Sequence, residues 1–116
     1  MVQKIDADFA WEKTAQLLAI DSPSGFTDRA AAWVRGEFEK LGFSAFVTAK
    51  GGVLADLGGS DGQDALLLEA HTDTLGGMVA QIKSSGCLKL TNLGGMNANN
   101  AEAENVRVYT RSGKVY

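Results

Sequence analysis

Apolar positions that recur every third or fourth residue predict two helices in the part of the chain that ends at Gly42. The first helix is expected to be capped by Asp8 and to end before the loop at residues 21–25, where proline and glycine lie close together. The second is expected to begin after Thr27 and to stop at Gly42. The predicted buried faces consist of Phe9, Trp11, Ala15, Leu18 and Ala19 in the first helix and of Ala30, Val34, Phe38 and Leu41 in the second.

Short β segments separated by glycine-containing turns follow the helices. Residues 43–48 and 53–57 predict a hairpin. The Leu-rich run at 65–70 predicts a buried strand whose C-terminal end leads into a polar loop. Further strands are expected at 78–83, 88–91, 106–110 and from Val115 onward. Such a series without intervening helices is typical of a small barrel or sandwich.

The predicted elements divide the chain near Gly76 and Gly77, into a mixed part at 1–76 and a β-rich part at 77–116. The last predicted strand has barely begun where the sequence stops, and we therefore expect a fragment of a longer protein. In such a fragment the strand at 65–70 would present an unpaired edge and an apolar face. Surfaces of that kind associate, so we expect the chain to self-associate.

Composition narrows the class of protein. The chain has 116 residues, of which 45% are hydrophobic, and this length and apolar content are enough for one domain with its own core. Its net charge is −3. The acidic balance, with no basic stripe, argues against a nucleic-acid partner. A single cysteine rules out an intrachain disulfide framework, and no run approaches the roughly 20 apolar residues of a membrane span. With no signal-peptide core at the N-terminus, we expect a soluble cytoplasmic protein.

His71, the only histidine, follows the predicted strand and has a carboxylate, Asp73, two residues later. A neutral imidazole binds zinc, and a nearby carboxylate can orient the ring, so the pair is a candidate metal ligand and its support. The His-x-Asp pattern is weak by itself, and a purely structural histidine remains an alternative. A serine-hydrolase interpretation based on Ser22 or Ser24 lacks the Gly-x-Ser-x-Gly elbow.

Two other candidate patterns are weaker. Glu102 and Glu104 could form a carboxylate pair, but their Asn-rich surroundings favour a solvated loop. Gly58-Gly59 lacks the lysine and hydroxyl spacing of a phosphate-binding loop, and no helix is predicted to follow it.

The sequence from Ala70 to Val79, Ala-His-Thr-Asp-Thr-Leu-Gly-Gly-Met-Val, resembles the first metal-binding motif of the M42 family of metallo-aminopeptidases. Residues 22–27, Ser-Pro-Ser-Gly-Phe-Thr, are similar to the family's N-terminal loop. The segments at 82–95 and 102–113 resemble the first strands of its inserted β domain. The resemblance runs over nearly the whole chain in the family's order.

This resemblance implies an α/β fold, with 1–76 as the N-terminal part of a zinc-peptidase-like α/β sandwich and 77–116 as the start of an inserted barrel-like β domain used for dimerisation. It implies a cytoplasmic aminopeptidase that uses two divalent metals, zinc or cobalt, and removes N-terminal residues from peptides. Members form homo-oligomers, as dimers or dodecamers. His71 would match the first metal ligand, and Asp73 the catalytic carboxylate that supports this histidine.

The chain departs from the family pattern at two places and lacks the family's downstream metal ligands. Many members have an acidic residue where this chain has Thr27, and read Asp-Glu-Ile-Gly where it has Asp-Thr-Leu-Gly at 73–76. The family's other metal ligands and its general base lie further downstream, so we expect this chain alone to be inactive. An alternative is a standalone β-rich assembly or binding module without catalytic activity. A small α+β protein with a structural His71 is a third possibility.

Overall fold

A computed structural model describes residues 4–116, which form two α-helices followed by β hairpins and turns. The helices are α1 (Ala7–Leu18) and α2 (Asp28–Lys40). The strands are β1 (Ser44–Val47), β2 (Val53–Asp56), β3 (Gly76–Ile82) and β4 (Leu88–Leu93), and a short 3₁₀ helix covers Ala98–Ala101. Within residues 4–116, neither helix has the length and apolar content needed to cross a bilayer.

Helix α1 begins two residues earlier than the sequence suggested. Asp6 is the N-cap, with extended backbone angles, and its carboxylate accepts a hydrogen bond of 3.0 Å from the Phe9 amide. The prediction that Asp8 caps this helix is therefore wrong. Asp8 already lies in the first helical turn. There its negative charge interacts favourably with the positive end of the helix dipole, but its side chain does not occupy the capping position.

Helix α2 begins and ends where the pattern predicted. Thr27 occupies the N-cap position, although its side chain makes no capping hydrogen bond. Gly42 follows the helix with a φ of +87°, a left-handed conformation that glycine adopts at little cost. The two helices are joined by an ion pair of 2.7 Å between Lys13 and Glu37.

Two separate antiparallel hairpins make up the β structure in the described part of the chain. The β1–β2 hairpin pairs Ser44 with Asp56 and confirms the hairpin predicted at 43–57. The β3–β4 hairpin pairs Gly76 with Leu93 and has an irregularity between Val79 and Gln81. The strand predicted at 106–110 is reduced to a single bridge between Tyr109 and Val115.

The buried strand predicted at 65–70 is not formed. This segment has no regular secondary structure, and its three leucines, Leu66, Leu67 and Leu68, are 87%, 71% and 75% exposed. A strand needs a neighbour to satisfy its backbone hydrogen bonds, and no strand lies beside it within residues 4–116. The sequence pattern correctly identified an apolar segment, but no other part of the described chain buries it.

The expectation of a sizeable core is also wrong for the described residues. Ala30 and Ala31 of α2 are the apolar residues buried there, while most large apolar side chains remain exposed. The radius of gyration is 18.3 Å, whereas a compact domain of this length would have about 13 Å. The structure is thus a small α/β arrangement of two helices and two-stranded antiparallel sheets, with much apolar surface left uncovered.

Candidate active site beside the Pro-Ser-Gly loop

A parallel bridge between Pro23 and Thr74 brings the loop after α1 against the segment that follows His71. The Ser22 hydroxyl donates to the carbonyl of Thr72 at 2.9 Å, and the Thr74 amide donates to the carbonyl of Ser22 at 2.8 Å. Ser22 is 1% exposed, so both hydrogen bonds are shielded from water. Segments about fifty positions apart in the sequence are therefore held in a defined register.

Gly76 allows this close approach. A Cβ atom at Gly76 would lie 2.6 Å from the Cβ of Pro23, a distance that side chains do not tolerate. Glycine is thus required here by the contact between the two segments. The family motif resemblance included this glycine, and the structure supplies its physical reason.

The carboxylate of Asp73 is held at both oxygens. Its Oδ2 accepts a hydrogen bond of 2.5 Å from the Ser24 hydroxyl, and its Oδ1 lies 3.1 Å from the Nδ1 of His71. The Ser24 hydrogen bond is the main reason that the pKa of Asp73 lies below its ordinary value of 3.8, and His71 lowers the pKa further. Asp73 is therefore ionised and fixed in orientation at neutral pH.

His71 presents one ring nitrogen to solvent. Its Nδ1 lies 3.0 Å from the backbone carbonyl of Asp73 and 3.1 Å from the Asp73 carboxylate. Both partners are hydrogen-bond acceptors, so Nδ1 must carry the proton. In the neutral ring Nε2 then has a free lone pair, and the side chain is 85% exposed. A histidine that donates one N–H to a carboxylate and keeps the other nitrogen bare suits a metal ligand.

These groups face an open cleft of about 440 Å³. The cleft is lined by Ser24, His71, Asp73, Thr74, Leu75, Gly94 and Gly95. Among residues 4–116, no cluster of three or more histidine, cysteine, aspartate or glutamate side chains could enclose a metal ion. The described part of the chain therefore offers one histidine donor and its supporting carboxylate.

The order of these contacts differs from a serine-hydrolase triad. In a triad, histidine lies between the serine and the carboxylate and takes the serine proton. Here Asp73 lies between Ser24 and His71, and the Ser24 hydroxyl donates to the carboxylate. Glu102 and Glu104 are exposed, as the solvated-loop interpretation predicted.

A second polar cluster lies at the start of the same loop and was missed by sequence reasoning. Arg107 Nη1 donates to both carboxylate oxygens of Asp21 at 2.6 and 2.5 Å, and the Tyr109 hydroxyl also donates to Asp21. The rings of Phe26 and Tyr109 lie 5.0 Å apart. The partners are more than eighty positions apart in sequence, so no local pattern could reveal the contact.

The fold and the site define a small α/β protein with a histidine–carboxylate pair at an open cleft. The family model described as M42 glutamyl aminopeptidase matches residues 51–116. The chain belongs to this M42 family. The match confirms the family that the motifs at 22–27 and 70–79 resembled.

Two curated relatives match over 105 residues each, or 90% of this chain. YhfE of Bacillus subtilis (strain 168), which is named as a candidate aminopeptidase, is 36% identical. The glutamyl aminopeptidase of Lactococcus lactis subsp. cremoris (strain MG1363) is 26% identical. The chain spans 30% of the length of each of these relatives.

Proposed function

We propose that this chain is the N-terminal portion of a two-metal aminopeptidase that removes N-terminal residues from peptides. Membership of the M42 family and the aminopeptidase names of two relatives support this proposal. The observation that carries it is the bare Nε2 of His71, whose Nδ1 is held by the Asp73 carboxylate. The catalytic part would comprise residues 1–76, and residues 77–116 would begin the β-rich insertion.

In this proposal His71 is a metal ligand through Nε2. Asp73 holds the ring in the Nδ1–H form and raises the electron density at Nε2, which strengthens it as a donor. When bound, two zinc or cobalt ions would polarise the scissile carbonyl and activate a water molecule. The cleft beside Thr74 and Leu75 would receive the N-terminal end of a peptide.

We propose further that the chain alone is catalytically inactive. A single histidine donor leaves most of the coordination sphere to water, whereas catalytic zinc sites normally have three protein ligands. Completing the site requires donors from the rest of a longer protein. The relatives, of which this chain spans 30%, have the length to supply them.

The proposal also includes assembly into a homo-oligomer and a cytoplasmic location. Apolar side chains of the β3–β4 hairpin, among them Met78 and Ile82, are 57% and 72% exposed, which supports an interface with a second copy. This surface also favours the second candidate function, a β-rich assembly module without catalysis. The two candidates differ in whether His71 binds metal.

Calorimetric titration with zinc and cobalt tests the metal role of His71. We expect weak binding by this chain and its loss in His71→Ala, because His71 is the only imidazole. Asp61→Asn, which removes an exposed loop carboxylate, is the matched control and should bind as the wild type does. A parallel assay with aminoacyl chromogenic substrates should show no turnover.

Each arm of this experiment can fail separately. Unchanged metal binding in His71→Ala would contradict the ligand role and would favour the assembly module. Tight binding of two metals, or measurable turnover by the chain alone, would contradict its inactivity.

A further inference from the structure

We propose that Ser24 is a positioning residue for the His71–Asp73 pair: its hydroxyl fixes the Asp73 carboxylate so that His71 is held with Nε2 free. The inference rests on the proposed function, because it assigns a second supporting group to the proposed metal ligand. The carrying observation is the continuous chain of hydrogen bonds from Ser24 through Asp73 to His71.

The geometry divides the carboxylate between two donors. The Ser24 hydroxyl bonds to Oδ2 at 2.5 Å, while Nδ1 of His71 lies 3.1 Å from Oδ1. A carboxylate held at one oxygen only can rotate about its side-chain torsions, and its terminal torsion is broad. With both oxygens occupied, the plane of the carboxylate is fixed relative to the imidazole. Ser24 therefore acts on His71 through Asp73 and not by direct contact.

Ser24 can do this because its own loop is anchored. The preceding residues are tied to the segment at 72–74 through the buried Ser22 and the bridge between Pro23 and Thr74. Ser24 itself is partly buried, on the wall of the cleft that also contains His71. The Ser24 hydroxyl is thus held near Asp73 by contacts of the two preceding residues, which do not involve the Ser24 side chain.

The consequence concerns which nitrogen of His71 carries the proton. An oriented carboxylate keeps the proton on Nδ1, together with the Asp73 carbonyl at 3.0 Å. When the carboxylate is free to turn away, the carbonyl alone restrains the ring, and the Nε2–H form gains population. That form has no lone pair at Nε2 and cannot bind a metal there.

Nitrogen-15 NMR of the imidazole tests this inference directly, since the untagged chain gives one set of histidine signals. The measurement is made without metal in mildly alkaline buffer, on wild type, Ser24→Ala and Ser24→Thr. We expect the Nδ1–H form to dominate in wild type and in Ser24→Thr, which retains the hydroxyl. In Ser24→Ala the share of the Nε2–H form should rise several-fold. Ser85→Ala, which removes an exposed serine from the β3–β4 turn, should match wild type.

The amide signal of Thr74, which donates to the Ser22 carbonyl, reports whether the loop stays docked. If the loop no longer contacts the segment at 72–74 in Ser24→Ala, the tautomer is measured in Ser24→Cys, whose side chain is similar in volume but is a weak hydrogen-bond donor. A wild-type tautomer in both Ser24→Ala and Ser24→Cys would overturn the inference. So would a dominant Nε2–H form in wild type, or a shift in Ser24→Thr as large as in Ser24→Ala.

Addition of zinc alone separates this inference from the proposed function. We expect zinc to shift the Nε2 signal of wild type, and Ser24→Ala to bind roughly tenfold more weakly, at the lower end of the loss expected for an outer supporting group. Equal zinc affinity in the two proteins would overturn the positioning role. If zinc does not perturb His71 while the tautomer still depends on Ser24, the proposed function fails and the hydrogen-bond assignment stands.

Discussion

At the scale of single residues, the site depends on small side chains that allow two distant segments to meet. Ser22 and Ser24 supply short hydroxyl donors, and Gly76 leaves room for Pro23. His71 and Asp73 could be named from the sequence because they lie two positions apart. The partner that fixes Asp73 could not, because Ser24 is separated from it by 49 positions. The Pro-Ser-Gly motif pointed to the loop, but not to this contact.

The contact at Gly76 leads to a stability prediction. Gly76→Ala places a Cβ 2.6 Å from the Cβ of Pro23, so the loop must shift, and we expect a loss of about 1–3 kcal/mol in the free energy of unfolding. Gly62→Ala is the matched control, since its Cβ would meet no atom within 4 Å. Thermal unfolding followed by circular dichroism measures both. Equal melting temperatures for the two variants would show that the contact is not maintained in solution.

At the scale of elements, the sequence predicted the helices and hairpins whose formation depends on residues close together in the chain. Helix α2, its Thr27 and Gly42 boundaries, and both hairpins follow from periodicity and turn residues, which act over a few positions. The predicted strand at 65–70 failed because pairing is a property of two strands, and a sequence pattern describes only one. The cap of α1 was misplaced because Asp6 and Asp8 are equally suitable residue types, and only backbone geometry separates them.

The exposed segment at 66–68 leads to a prediction about association. Three consecutive leucines that are each more than 70% exposed should drive self-association between copies of the chain. We expect sedimentation velocity to show oligomers of wild type and a shift toward monomer in Leu67→Lys. Ile82→Lys places the same charge on the β3–β4 hairpin and serves as the comparison. A shift in Ile82→Lys alone would place the interface on the β3–β4 hairpin, as in the proposed assembly, and would contradict the role of residues 66–68. A monomeric wild type would contradict both.

At the scale of the whole molecule, polar contacts connect parts that share little apolar burial. Lys13 and Glu37 join the helices, while Asp21 joins the loop after α1 to Arg107 and Tyr109 near the C-terminal end of the chain. The same loop contains Ser24, so the segment around Arg107 contacts the loop that also contributes to the candidate site. The helix and strand patterns and the family resemblance predicted an α/β chain, but they did not predict these long-range polar contacts.

The Asp21 cluster leads to a prediction about pH. The hydroxyl of Tyr109, and then Arg107, holds the pKa of Asp21 below its ordinary value of 3.8. The folded chain therefore binds this proton less readily than the unfolded chain does, so the contribution of Asp21 to stability is complete above pH 3.8 and is lost as the pH falls through the lower folded value.

Asp21→Asn should reduce stability by about 0.5–1 kcal/mol at neutral pH, as expected for a partly exposed ion pair. The difference from wild type should shrink below pH 3.8, which chemical denaturation at several pH values would measure. Asp61→Asn, which removes an exposed loop carboxylate outside this cluster, serves as the control variant. A constant difference between wild type and Asp21→Asn down to the lowest pH would show that the carboxylate charge does not contribute to this contact.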